Sequence, residues 1–414
     1  MGEDVYFLSL IPSNEPSLRE LSQNDPELPE IYVRELLLPQ TWHSGVAETY
    51  IPDLEVVVQR VIQEISPDIV HCHHGFATNV ISVCRKLDIP CVYTCHCPEI
   101  FCITGLLQRS DGSFCDGVLA PEKCLKCCGG NLRFSFVWRL LLQILPRKAR
   151  LCAERLFLHL PFVYFLTPLF QETHLLGEMV KRLAIFRTAD AMIAPSEAVA
   201  DLICRQGNFT NVKILQHGIP LAKRLDFPAV EGGVVKFYYV GRLCPEKGIH
   251  VMLAAFAALP ADRYQLHIIG APGSKYETRY INHLKRKYHS LPVVWHGKIP
   301  HEKLADYVSG YHVMIHPAVW FEVYGLSVAE AQAWGRPVLA TRCGGPEMQI
   351  TDGVNGWLIE KNDVEDMKKI LRGILETSDQ LAKMSLACST LFLDKHVRQL
   401  CSLYKETLAA GGGH

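Results

Sequence analysis

At 414 residues the chain exceeds one ordinary core and fits two domains of about 200 residues each. Its 42 basic and 43 acidic side chains give a net charge of −1, which excludes a chain steered as a whole onto nucleic acid. The opening MGEDVYFLSL lacks the basic flank and long apolar run of a signal peptide, so the 16 cysteines read as free thiols or metal ligands of a cytoplasmic protein.

Short β-branched or aromatic runs alternate with longer amphipathic stretches from the start: VYFLSL, LEVVVQRVIQEI, DIVHCHH, a helix around Asn79 to Leu87, then PCVYTCH. That rhythm predicts a parallel α/β domain with ligand loops at the strand ends. Residues 95–130 interrupt it with a cysteine-rich insertion. Cys102, Cys115, Cys124 and Cys127 have the spacing C-x12-C-x8-C-x2-C, with Cys128 as an alternate. Four thiolates in a loop-rich segment suit a structural zinc, because the metal replaces the core such a loop lacks. Reduced cysteines near one another by chance, or an iron–sulfur site, are the competing readings, since 10 of the 16 cysteines lie between Cys72 and Cys128.

Residues 131–187 carry nine Arg or Lys against three acids among many Leu, Phe, Val and Trp. Charge and apolarity concentrated together predict peripheral contact with an anionic membrane face; a domain helix with solvated cations is the bland alternative. The longest apolar stretch, Leu156 to Gln171, is broken by Pro161 and Pro168 and falls short of the roughly 20 residues of a membrane span.

The turn-rich HGIPLAKRLDFPAVEGGV, residues 217–234, marks a boundary. Beyond it the alternation resumes: KFYYVGR, a helix from Ile249 to Leu259, YQLHIIG, a helix near Tyr276 to His289, VVWHG, a helix from His301 to Gly310, HVMIHP, a helix over Leu326 to Trp334, and RPVLAT. The expected architecture is α/β, two Rossmann-like, doubly wound parallel-sheet domains facing a cleft. They span 1–216 and 217–392, and a helix within 393–414 returns to the first domain.

Two motifs in the second half carry chemistry. YYVGRLCPEKGIH reads as a strand ending at Gly241, then Arg242, a turn through Pro245, and Lys247 before Gly248 opens a helix. A glycine admitting close backbone approach and two cations beside a helix N-terminus are what a diphosphate needs. Taken alone, the segment reads equally well as a surface loop with two solvated cations. FEVYGLSVAE then places Glu322 in a loop with Gly325, and Glu330 near the first turns of a helix. An acid there can accept both hydroxyls of a ribose, and the loop amides face phosphate or sugar.

Together the GR…EKG segment, the pair Glu322 and Glu330, the GGPE turn and DGVNGWLIE resemble the retaining nucleotide-sugar glycosyltransferases of family 4, which have the GT-B fold. AIFRTADAMIAPSEAV and SPDIVHCHHGFATN lie where that family has their counterparts. The resemblance implies a UDP- or GDP-sugar donor, a glycan or lipid-linked acceptor, and no catalytic metal. It assigns Gly241, Arg242 and Lys247 to the donor diphosphate, Glu330 to the ribose, and Lys298 and Ile299 to the base. Glu322, with the amides of Gly325 and Leu326, would contact the sugar, and His96 would sit at the sugar from the first domain. The insertion, following His96, would border the acceptor.

The family's opening strand, glycine-rich loop and helix have no visible counterpart. No glycine lies between Gly2 and Gly45, and VYFLSL matches the second strand. A truncated chain, or a second chain supplying the unit, would follow, with an exposed sheet edge left behind. The family's turn at the boundary is altered here to His217-Gly218-Ile219-Pro220. The competing functions are a sugar-nucleotide epimerase of the same fold and a non-catalytic glycosyltransferase-like partner subunit.

Overall fold

The structure, a computed structural model, describes residues 5–12, 19–24, 31–38, 51–73, 76–102, 107, 115–120, 123–124, 179–220 and 223–411. Two compact units divide it: Met1–Ile193 with Leu202–Lys213 and Glu406–His414, and Ala194–Asp201 with Ile214–Lys405.

The first unit opens with β1 (Val5–Pro12), β2 (Arg19–Asn24) and β3 (Ile31–Leu38). They form a sheet of their own, ordered β1-β3-β2, with β1 parallel and β2 antiparallel to β3. The polar β2, RELSQN, has no apolar alternation, and is a strand through its ladder to β3.

Helix α1 (Pro52–Ile65) starts with proline at its first position, where no amide partner is needed. Its Leu54, Val58, Val61 and Ile62 repeat at helical spacing and are fully or almost fully buried. Asn79, in α2 (Ala77–Leu87), pins the chain entering α1 by bonding both backbone groups of Ile51, at 3.2 and 2.7 Å. Beside these helices β4 (Val70–Cys72), β5 (Cys91–Thr94), β6 (Ala191–Ala194) and β7 (Val212–Ile214) make a four-stranded sheet in chain order. β5 and β6 are buried at every residue, as a parallel strand covered on both faces should be. Helix α3 (Glu197–Cys204) follows β6.

The second unit is built on β8 (Val235–Val240), β9 (Tyr264–Ile269), β10 (Val293–Gly297), β11 (Val313–His316), β12 (Val338–Thr341) and β13 (Gly356–Ile359). The order is β10-β9-β8-β11-β12-β13, parallel throughout. Helices α4 (Ile249–Phe256), α5 (Lys275–Lys287), α6 (Leu304–Val308) and α7 (Leu326–Ala333) connect β8 to β12 in turn, and α8 (Val364–Glu376), α9 (Leu381–Ala387) and α10 (Leu393–Gly411) follow β13. Alternate residues face opposite cores: Phe237 and Tyr239 pack with Phe256, Leu266 and Leu371, while Tyr238 packs with Met314, Val328 and Trp334. Both faces are thus covered, and the sheet grows outward in two directions from β8 and β11. At that switch point the crossovers leave on opposite faces, which opens a crevice beyond the strand ends.

The helix expected from His301 to Gly310 is divided. Nothing caps its start, and the first turn tightens to a 3-10 turn over His301–Lys303 before α6.

Candidate active site

Gly241, Arg242 and Lys247 all lie in the loop leaving β8. Gly248 ends that loop with a left-handed φ of 69° as α4 begins, and a β-carbon there would lie 1.8 Å from the Pro317 carbonyl oxygen. Only glycine allows this loop to lie so close to the chain leaving β11. The Val319 N–H bonds the Glu246 carbonyl at 2.9 Å and fastens the two loops together. Arg242 points outward, its side chain 61 % exposed, and pairs with Glu277 at 3.2 Å. Glu277 is itself placed by the N-terminus of α5, where its N–H bonds the capping Ser274 at 3.1 Å.

The loop leaving β11 carries Glu322, whose backbone is held from both sides: its N–H bonds Cys343 O and its carbonyl accepts from Gly345 N–H, each at 2.7 Å. A parallel bridge to Gly344 results. Gly345 packs so tightly that a β-carbon would come within 2.3 Å of Tyr324 Cα. The GGPE turn therefore supports Glu322.

Glu322 is 7 % exposed. Its Oε1 accepts from Lys247 Nζ and from the Trp320 indole N–H, the latter at 2.5 Å. Lys247 Nζ also lies 5.0 Å from the Trp320 ring centroid. Burial pushes the Glu322 carboxyl up, but the Lys247 charge, the nearby His316 and the two hydrogen bonds outweigh it, so its pKa falls below the usual carboxylate value. His316, at the end of β11, is 3 % exposed, and neither ring nitrogen meets a protein partner among the described residues. Burial drives its pKa down to about 4, with Glu322 pulling upward and Lys247 downward.

Glu330 leaves α7, whose N-terminus is Gly325 in a left-handed conformation. Its Oε1 accepts from His301 Nε2 at 2.6 Å. Lys298 is exposed and Ile299 half-buried, in the segment between β10 and His301. Leu326 is 52 % exposed at the start of α7. Within the second unit the structure therefore brings Lys247 and Glu322 into direct contact, and places Arg242 in the loop after β8 and Glu330 on α7, which follows the adjacent β11. Trp320, His316, His301 and Glu277 are partners that sequence reasoning missed. His301 and Glu277 reach Glu330 and Arg242 across 29 and 35 residues, whereas Trp320 and His316 precede Glu322 by two and six residues, in HPAVWFE.

In the first unit His96 follows β5, and its Nε2 lies 2.9 Å from His73 Nδ1. The His71 and His73 ring centroids are 4.1 Å apart, and those of His73 and His96 are 5.2 Å apart, so three imidazoles stand in a row at the ends of β4 and β5.

The zinc expected of the cysteine insertion is not supported. Cys102, Cys115 and Cys124 are half-buried, and Cys115 turns toward Asp116 at 3.8 Å. Among the described residues no three His, Cys, Asp or Glu side chains converge to hold a metal ion. Cys127 and Cys128 lie outside the described residues, as do residues 131–178 of the basic apolar segment. No helix among the described residues is long and apolar enough to cross a membrane.

Residues 227–387 match the family model "Glycosyl transferases group 1", and residues 13–125 match "Glycosyltransferase Family 4". Both segments are thus similar to glycosyltransferase domains. An uncharacterized glycosyltransferase of Methanocaldococcus jannaschii is 26 % identical over 208 residues, 47 % of this chain and 52 % of the relative. A D-inositol 3-phosphate glycosyltransferase of Streptomyces scabiei is 27 % identical over 228 residues, 50 % of each chain. The match thus spans about half the length of these curated relatives. Among solved structures, sucrose-phosphate synthase from Thermosynechococcus elongatus superposes with a TM-score of 0.61 at 18 % identity, over 99 % of this chain and 90 % of the other. Anabaena HepE in complex with UDP and glucose superposes at 0.58 and 16 % identity, over 91 % and 87 %. The chain has the GT-B fold.

Proposed function

We propose that the protein is a retaining glycosyltransferase that moves a sugar from a nucleotide-sugar donor to a glycan or lipid-linked acceptor. The observation that carries this reading is the contact of Lys247, from the loop after β8, with Glu322, from the loop after β11, at the switch point of the second sheet. In the proposal the donor diphosphate takes Lys247 and Arg242, whose charge stabilises the negative charge growing on the leaving nucleotide. Release of Lys247 frees Glu322 for the sugar hydroxyls. Trp320 still holds one carboxylate oxygen, so the acid stays in place. Glu330 takes the ribose, Lys298 and Ile299 border the base, and the amides at Gly325 and Leu326 approach the sugar. His96 is assigned to sugar transfer.

Retention follows from the same proposal. The nucleotide leaves the anomeric carbon while the acceptor hydroxyl attacks from the same face, its proton passing to the donor phosphate. UDP-sugars are the first donors to test, because a structural neighbour was solved with UDP-glucose. The positively charged apolar run of residues 131–187 motivates a lipid-linked acceptor.

The test is a thermal-shift screen of UDP- and GDP-sugars, since a ligand bound to the native state raises the melting temperature by mass action. The donor that stabilises should then give a product whose anomeric configuration, read by NMR, equals that of the donor. Inversion would overturn the retaining assignment. Donor epimerised in the absence of acceptor would replace the transferase reading altogether.

A further inference from the structure

We infer that His301 is a positioning residue for Glu330, holding its carboxylate in the orientation that accepts the ribose hydroxyls of the donor. The inference rests on the reading that Glu330 is the ribose ligand. His301 Nε2 donates to Glu330 Oε1 at 2.6 Å, across 29 residues of sequence. The segment that delivers it is anchored: Ile299 packs against the apolar cluster containing Val328 and Ala331 of α7, and Pro300 restricts the backbone just ahead of the imidazole. His301 therefore reaches α7 from a fixed base.

A glutamate on a helix surface samples several rotamers, and binding a diol must order it. One imidazole N–H on Oε1 does that ordering beforehand. It leaves Oε2, and the second lone pair of Oε1, for two vicinal hydroxyls. A purely structural role explains the contact poorly. The His301 side chain is 67 % exposed, and exposed pairs of this kind add little to folding stability. Glu330 itself is 17 % exposed, open enough on its remaining side to meet a ligand. The location fits as well, because His301 is the third residue after Lys298, which the proposed site places at the base.

The experiment compares nucleotide diphosphates with and without the 2′-hydroxyl by calorimetry on the full chain. UDP and 2′-deoxy-UDP, and GDP with its 2′-deoxy form, are titrated, and the ratio is taken for whichever base binds more tightly. The unsubstituted protein should prefer the ribonucleotide, and Glu330→Ala should erase that preference. His301→Ala should reduce the preference about 3- to 10-fold by weakening the ribonucleotide alone. Its melting temperature should be unchanged, and His301→Gln, which keeps an N–H donor, should recover most of the preference. If His301→Ala leaves the ratio unchanged or tightens the ribonucleotide while Glu330→Ala erases the preference, the inference fails and the ribose assignment stands. If Glu330→Ala itself leaves the ratio intact, the ribose assignment fails and the inference with it.

Discussion

Glu322 and Glu330 lie eight residues apart in one stretch, and the protein treats them differently. Glu322 has its backbone bridged to Gly344 and its carboxylate bonded to Lys247 and Trp320, with buried His316 nearby. Among the described residues Glu330 has one hydrogen-bond partner side chain, the exposed His301. A buried carboxylate needs compensation from the protein or it would be expelled or protonated. A carboxylate at the rim can leave most of its hydrogen-bonding capacity for a ligand. In the proposed function the inner acid serves the chemistry and the outer one recognition.

The largest expected effect tests the inner acid. Glu322→Gln keeps the shape but removes the charge that holds Lys247, and turnover should fall about 100- to 1000-fold with the donor found by the screen. A loss below about threefold would mean that the pair is structural only, and the contrast with Glu330 would collapse.

Next comes the pH dependence of the inner site. His316 is held from its ordinary 6.5 down to about 4 by burial. Between those values the unfolded chain binds a proton at this position and the native chain does not, so stability falls as pH drops from 6.5 toward 4. The contribution amounts to about 3 kcal/mol across that window. Glu322 adds to the decline at the acid end, because its lowered pKa contributes stability that is lost as pH falls below 4.5 and through its folded value. His316→Leu should flatten denaturant-unfolding free energies across the window without abolishing the slope, since His267 is also held down to about 4. An unchanged slope would show that His316 is not buried neutral beside Glu322.

The outer acid should give a different signature. Glu330→Ala should raise the donor Michaelis constant about 10-fold and leave the turnover number nearly unchanged, as expected when ground-state and transition-state binding are lost together. Equal losses in turnover for the two glutamates would remove the distinction between them.

Most of this contrast was half legible in the sequence. The second unit announces its strands as short apolar runs ending in glycine or proline, and Gly241, Arg242, Lys247, Glu322 and Glu330 follow those runs. What the chain order cannot display is which loops share the switch point. Lys247 and Glu322 are 75 residues apart, and only the order β8-β11 makes them neighbours. Arg336 illustrates the same limit. In AWGRPV it reads as a turn cation, yet it is fully buried and bonded to the carbonyls of Trp334, Asp226 and Ser309. In the first unit β2 carries no apolar pattern, so its separate sheet was invisible until β3 was found beside it.

Arg242 supplies the smallest effect and separates surface electrostatics from donor binding. Its pair with Glu277 spans 3.2 Å, but the guanidinium side is 61 % exposed, and such pairs contribute about 0 to 1 kcal/mol to folding. Arg242→Ala should therefore leave the melting temperature of the free protein where it was. If the guanidinium also meets the diphosphate as charge builds on the leaving group, turnover should drop about 10-fold and more than the Michaelis constant rises. Arg242→Lys should recover only part of that loss, since an ammonium keeps the charge without the planar fork that grips two phosphate oxygens. A lower melting temperature with unchanged turnover would reverse the assignment and make Arg242 a support of α5 through Glu277. Lys247 would then be the one cation of this loop still assigned to the donor.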